Sequence, residues 1–331
     1  MPATDIQEQG FVATLFQSGL LRVSGDDAAP FLQGQITHDV LSLPEGTPRL
    51  AGYCTPQGLL LAILLLWRSN DAIWLMMPSE ILPAVRERLQ HHVLRAKVLI
   101  ADASEQVTLL GLGGKAAQAM VSHRLPDTAL SGDGEMAPSP LPLPLPSAFG
   151  APRFLLAVPV NNVRFFWKIL TETLVSTGPA SWELADITAG LPQVFSATRD
   201  AFFPQALNLD LLDGMSFQKG CYVGQEAIAA RQNTGEVTHR MRMGHIPMPP
   251  NNPSAQADIL PGTPVFADGD AQACGLLVRI APLAAQVNCL FTLRNDLVHS
   301  DRLCVGTPQG PPIRLDALPY DIPRPPKRGS R

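Results

Sequence analysis

Between residues 217 and 235 the chain reads FQKGCYVGQEAIAARQNTG, and its centre, Lys219 to Glu226, is the densest group of chemically competent side chains in the sequence. A thiol is nucleophilic only as thiolate, and its acidity rises beside a cation or ahead of a helix start, where the backbone dipole is positive. Cys221 has both expected neighbours: Lys219 two residues before it, and a helix-like run from Gln225 to Arg231 just after. Lysine is sparingly used, with five lysines against twenty arginines in the chain, so a compact ammonium at 219 stands out. Gly220 and Gly224 bracket the thiol and permit positive φ or a close approach of backbone to a ligand. The competing reading makes Cys221 a small buried hydrophobe and Lys219 a solvated charge.

The elements that must position this stretch follow from punctuation and periodicity. Two short strands are expected over 11–24, a helix over 28–36, and a hairpin over 52–67 turning at Pro56-Gln57-Gly58. A helix runs from Glu80 to about His92, where the adjacent histidines point different ways and form no metal pair. Gly111-Leu112-Gly113-Gly114-Lys115-Ala116 fits G-x-G-x-x-A, but the acid required about twenty positions on falls among prolines, so a plain strand-to-helix turn is preferred. Residues 126–152 carry seven prolines, including SPLPLPLPS, and are expected as a surface loop; a polyproline ligand is the alternative. A strand at 154–158 and an amphipathic helix over 160–175 follow. Beyond 236, five short strands separated by Pro and Gly turns predict a small barrel or sandwich. The basic end, 323–331, reads as a disordered tail.

The division expected is therefore 1–125, a first α/β region; 126–152, the Pro-rich loop; 153–235, a second α/β region with the Cys221 stretch; 236–322, a β-barrel; and the tail. At 331 residues and 46% hydrophobic, the chain can bury a substantial core. Net charge of -4 argues against strong direct nucleic-acid binding over the whole surface. Five scattered cysteines without C-x-x-C suggest reduced thiols in a cytoplasmic protein, no disulfide framework and no metal site. The longest apolar run, 59–67, is too short to span a membrane, and no export signal is read at the N-terminus.

WELADITAGLPQ at 182–193 and FPQALNLDLLDGMSFQKGCYVGQEAIAARQNTGEVTHR at 203–240 resemble the YgfZ family of folate-binding proteins, relatives of the glycine cleavage T-protein, an aminomethyltransferase. The resemblance rests on the full K-G-C-[FY]-x-G-Q-E signature at 219–226 and extends loosely over most of the chain. It implies an α+β fold in which two α/β subdomains and a C-terminal antiparallel β-barrel surround a central cavity for tetrahydrofolate or a one-carbon derivative. It implies Cys221 and Lys219 as the reactive pair, and Trp182, Gln205, Asn208, Tyr222, Gly224, Gln225, Glu226 and Arg231 as cofactor-binding residues. Iron–sulfur enzymes or their assembly proteins would be the partners of a monomer acting in tRNA modification. The family's second folate tryptophan corresponds to Ser18, and the T-protein's acid falls where this chain has Leu61 and Ala62. Without that carboxylate an accessory role is expected rather than aminomethyl transfer. A one-carbon transferase with another acceptor, and a scaffold acting through the Pro-rich loop, are the alternatives.

Overall fold

The structure is a computed structural model that describes residues 8–123, 125, 128–130, 136–138, 140–234, 237–248, 258–268, 270–283, 285–300 and 302–323. The chain divides into two compact units, each gathered from three segments, where consecutive stretches were expected. The first takes residues 1–31, 42–49 and 65–189; the second takes 32–41, 50–64 and 190–331.

In the first unit a five-stranded sheet runs in the order Leu143–Ala148, Ala151–Pro159, Val107–Gly113, Phe11–Thr14, Val175–Thr177. The helices Lys115–His123 and Val163–Thr171 bury Met120, Phe166 and Leu170 with Val12, Leu112 and Leu156 of this sheet. A second antiparallel run pairs the end of the strand Leu60–Ser69 with Ala72–Pro78, then Ser18–Ser24, then Leu99–Asp102. The G-x-G-x-x-A stretch is a strand followed by a turn at Gly114, φ +99, and a helix. Its glycines serve packing: a Cβ at Gly111 would run into the Trp182 ring and one at Gly113 into Phe11.

The Pro-rich stretch is not a continuous loop. Thr128–Leu130 pairs with Met136–Pro138, and Leu143–Ala148 is an edge strand on Ala151–Pro159. Alternation explains the tolerance: Pro144 and Pro146 are exposed while Leu143 and Ala148 are buried, so the missing N–H groups fall at an edge where no ladder needs every donor. Residues 324–331 of the expected tail lie outside the described residues.

The second unit contains a closed antiparallel barrel of six strands: His239–Pro247, Gln286–Arg294, Gly275–Pro282, Pro264–Ala267, Leu303–Val305 and Pro312–Asp316, in that order around the barrel. Ile246, Val265, Leu277, Phe291, Leu293 and Ile313 fill its core. Five of these strands were expected from alternation, and the sixth, PIRLD, was not. The same unit holds the strand Arg49–Cys54 from residue 50 onward, the first half of Leu60–Ser69 and the helix Gln225–Thr234. Among the described residues no helix is long and apolar enough to cross a membrane.

Candidate functional site

The signature occupies an irregular stretch that ends where the helix Gln225–Thr234 begins, and three kinds of bond hold it in place. The Lys219 Nζ donates to the carbonyls of Ile36 and His38 at 2.7 and 2.8 Å and lies 5.0 Å from the centre of the Tyr222 ring. Thr37 links three segments. Its hydroxyl donates to the Gly214 carbonyl at 2.6 Å and accepts from the Gly52 amide at 2.7 Å, and its carbonyl accepts from the Ser216 amide. The Tyr222 amide donates to Gln225 Oε1, and the Val223 amide donates to the Gly34 carbonyl.

Gly224 needs to be glycine twice over. Its φ is +83, and a Cβ there would strike the Thr55 carbonyl oxygen in the turn of the hairpin. Gly220 is different: φ is not positive and a Cβ would meet nothing within 4 Å, so neither of these requires glycine at 220. It leaves open space beside Cys221. Cys221 is exposed, whereas Cys54, Cys274, Cys289 and Cys304 are buried. The reading of Cys221 as a buried hydrophobe is thereby excluded.

Burial sets the acidities around the loop. Desolvation pushes the Lys219 ammonium down to about 8, with Asp39 opposing. Burial pushes the Tyr222 hydroxyl up to about 12, and Cys54 adds to the rise. The Tyr222 hydroxyl has no hydrogen-bond partner among the described residues.

Gln205 and Asn208 sit on the short helical turn Pro204–Leu207 and its left-handed end, Asn208 having φ 59. The Gln205 Nε2 donates to the Ile228 carbonyl at 2.9 Å, tying this turn to the signature helix. The Asn208 Nδ2 donates to the Met241 carbonyl at 3.0 Å, tying it to the barrel. Sequence reasoning missed the ion pair beside them: Arg240 grips both oxygens of Asp210 at 2.6 and 2.9 Å and also donates to the Gln205 carbonyl. It also missed Thr37, for a lone threonine at the end of a helical pattern carries no signal of the contacts it makes far along the chain.

Arg231 lies over the Phe203 ring, 3.6 Å from its centre. Both border a cavity of about 270 Å³ that Gln205, Thr238, His239 and Leu276 help to line. Glu226 is exposed in the first turn of its helix. Trp182 belongs to the first unit, where it is 4% exposed, packed on Gly111 and covered by the Arg153 guanidinium 4.9 Å from the ring centre. Arg153 is itself paired with Asp186 at 2.7 Å. The structure thus brings together Lys219, Cys221, Tyr222, Gly224 and Gln225 in one loop and helix start, and Gln205 and Arg231 around one cavity. Leu61 and Ala62 are buried, so no carboxylate stands at those positions. No group of metal-ligating side chains occurs among the described residues.

No family model matches the chain. In sequence it is similar to the tRNA-modifying protein YgfZ of Photobacterium profundum, 31% identical over 220 residues, which make up 66% of this chain and 64% of that protein. It therefore spans just under two thirds of that relative's length. In structure it is similar to the glycine cleavage system aminomethyltransferase T from Bartonella henselae, with a TM-score of 0.71 over 96% of this chain and 88% of that one, at 17% identity. The second likeness is one of fold. Together they bear out the resemblance read from the signature.

Proposed function

The chain is YgfZ-like in sequence and has the aminomethyltransferase fold, and on that premise we propose that it is a tetrahydrofolate-binding accessory factor, with Cys221 as its reactive thiol. In this reading it supports iron–sulfur enzymes, among them enzymes of tRNA modification, in the cytoplasm. The observation that carries the reading is the contrast among the cysteines: four are buried, and the one in the signature stands exposed on a loop pinned by Lys219, Thr37 and Gly224. Five free thiols also suit a reducing compartment.

The residues present are compatible with a folate. Gln205 Oε1, Asn208 Oδ1 and the Tyr222 hydroxyl are buried without a partner among the described residues, and polar groups so placed are costly unless a ligand satisfies them. Gln205, Asn208, Tyr222, Gly224, Gln225, Glu226 and Arg231, all in the second unit, are the proposed cofactor-binding residues; Trp182, enclosed in the first unit between Gly111 and Arg153, is not counted among them. A bound folate would supply a one-carbon unit or a redox-active pterin. The chain's own share is to orient it and to present Cys221, which Lys219 positions by fastening the loop. Aminomethyl transfer is disfavoured because Leu61 and Ala62 offer no acid or base.

Two measurements test this. A strain lacking the protein should lose iron–sulfur enzyme activity and regain it with wild type but not with Cys221→Ala; equal rescue removes the thiol from the mechanism. Tetrahydrofolate should bind saturably to the full chain, read by calorimetry and by tryptophan fluorescence, and Arg231→Ala should weaken that binding. Absence of binding by calorimetry as well as fluorescence would end the cofactor assignment.

A further inference from the structure

Six of the described residues other than glycine hold a positive φ, and four of them are asparagine or aspartate, which tolerate the left-handed region. The other two are bulky. Phe149 is explained by its hairpin: with Gly150 it forms the two-residue turn between the paired residues Ala148 and Ala151, where both turn positions take positive φ. Leu94 has no such reason. At φ 44 it sits just past the helix Leu82–His91, in a turn where glycine or asparagine would be free of strain, and it is 90% exposed. A leucine there is unfavourable twice, through backbone strain and through apolar surface left in water.

The turn is tied down around it. The Lys97 amide donates to Asp27 Oδ2 at 2.8 Å, the Asp27 amide donates back to the Lys97 carbonyl at 3.4 Å, and the Ala96 amide donates to the Val93 carbonyl at 2.8 Å. The side chains beside Leu94 are cationic: Arg88 in the last turn of the helix, then Arg95 and Lys97, with His91 and His92 exposed between them. Three carboxylates are near. Asp26 is paired with Lys97 at 3.2 Å, Asp27 holds the Lys97 amide, and Glu87 is exposed on the helix. Arg88 and Arg95 form no ion pair among the described residues. Leu99, 62% exposed, opens the edge strand Leu99–Asp102 five residues on. A protein partner would need a pocket matched to so protruding a leucine, and a nucleic acid would gain nothing from it. A bilayer surface takes up an apolar side chain without matching its shape, and anionic headgroups attract the flanking arginines.

We infer that the tip formed by Leu94 and Arg95 docks on an anionic lipid surface, with Leu94 entering the acyl boundary and Arg88 and Arg95 meeting the headgroup phosphates. The contact is peripheral, since no helix among the described residues is long and apolar enough to cross a membrane. It goes beyond the accessory reading and shares no residue with it. The full chain is sedimented at low salt with vesicles of phosphatidylglycerol and phosphatidylcholine in equal parts, and with vesicles of phosphatidylcholine alone. The mixed vesicles should bind it and the neutral ones should not. Arg95→Glu should weaken binding by about fivefold or more, the worth of one cation near an anionic surface. Leu94→Gly should weaken it by about tenfold, the worth of one buried leucine, with a melting temperature no lower than that of wild type because glycine accepts φ 44 freely. Leu260→Ala is the control: Leu260 is 56% exposed in the second unit, and its loss should leave binding unchanged. No binding to the mixed vesicles, equal binding to the neutral ones, an equal loss in Leu260→Ala, or a lowered melting temperature in Leu94→Gly overturns the inference. Binding lost in Arg95→Glu but kept in Leu94→Gly marks a contact through phosphate alone, of the kind a nucleic acid makes, and overturns it too.

Discussion

Two glycines four residues apart in the signature have opposite reasons for being small, and substitution separates them. At 224 an alanine must take up φ +83 and push against the Thr55 carbonyl, so Gly224→Ala should lose about 1–3 kcal/mol from backbone strain alone. At 220 there is open space and an ordinary φ, so Gly220→Ala should stay within about 0.5 kcal/mol of wild type. Urea denaturation of both variants checks the pair. If Gly220→Ala folds normally yet fails to support function, the open space beside Cys221 serves whatever approaches the thiol. Lys219 gives a pH prediction. Its folded pKa is lowered to about 8 from the usual 10.5, so below pH 8 the buried charge is present in both states and its desolvation cost is felt in full. Between 8 and 10.5 the folded chain has released a proton that the unfolded chain still holds. Stability of wild type should therefore rise relative to Lys219→Met across that window, and a constant difference between their urea midpoints would refute the assignment.

Elements were legible where a period or a turn signal marked them and illegible where a contact between distant segments did. The hairpin turning at Pro56-Gln57-Gly58, the helix after Gly224 and five barrel strands follow from local pattern. Pro312–Asp316 does not, because a proline start and two charged residues in five mask the alternation of an edge-like strand that only closure of the barrel stabilises. The strand Leu143–Ala148 was hidden for a related reason: prolines at every second position resemble a loop until an edge is available for them. The Arg240–Asp210 pair belongs to this class of distant contacts. It fastens the first barrel strand to the segment carrying Gln205, and both side chains are almost fully buried. Asp210→Ala leaves the guanidinium buried and unpaired, and should cost about 3–5 kcal/mol, read as a lowered urea midpoint that added salt does little to change.

For the whole molecule, the arrangement in two interleaved units was not deducible from composition or spacing, and consecutive regions were the natural reading of a linear pattern. The C-terminal barrel followed from local alternation, and the resemblance carried by the signature supplied the α+β class and the rest of the fold. Of the site, the signature loop was visible in the sequence because unusual residues cluster there, whereas the cavity's other walls come from residues 201–206, 237–239, 273–276 and 292, which carry no shared local motif. The cysteine distribution described above has a practical consequence. A native chain offers one accessible thiol, so a maleimide should attach once under folding conditions, and mass spectrometry should find four more adducts only after denaturation. The protein thus carries a single built-in attachment point for a dye or spin label in its signature loop, and its four shielded sulfurs make the same reagent a counter of unfolding events.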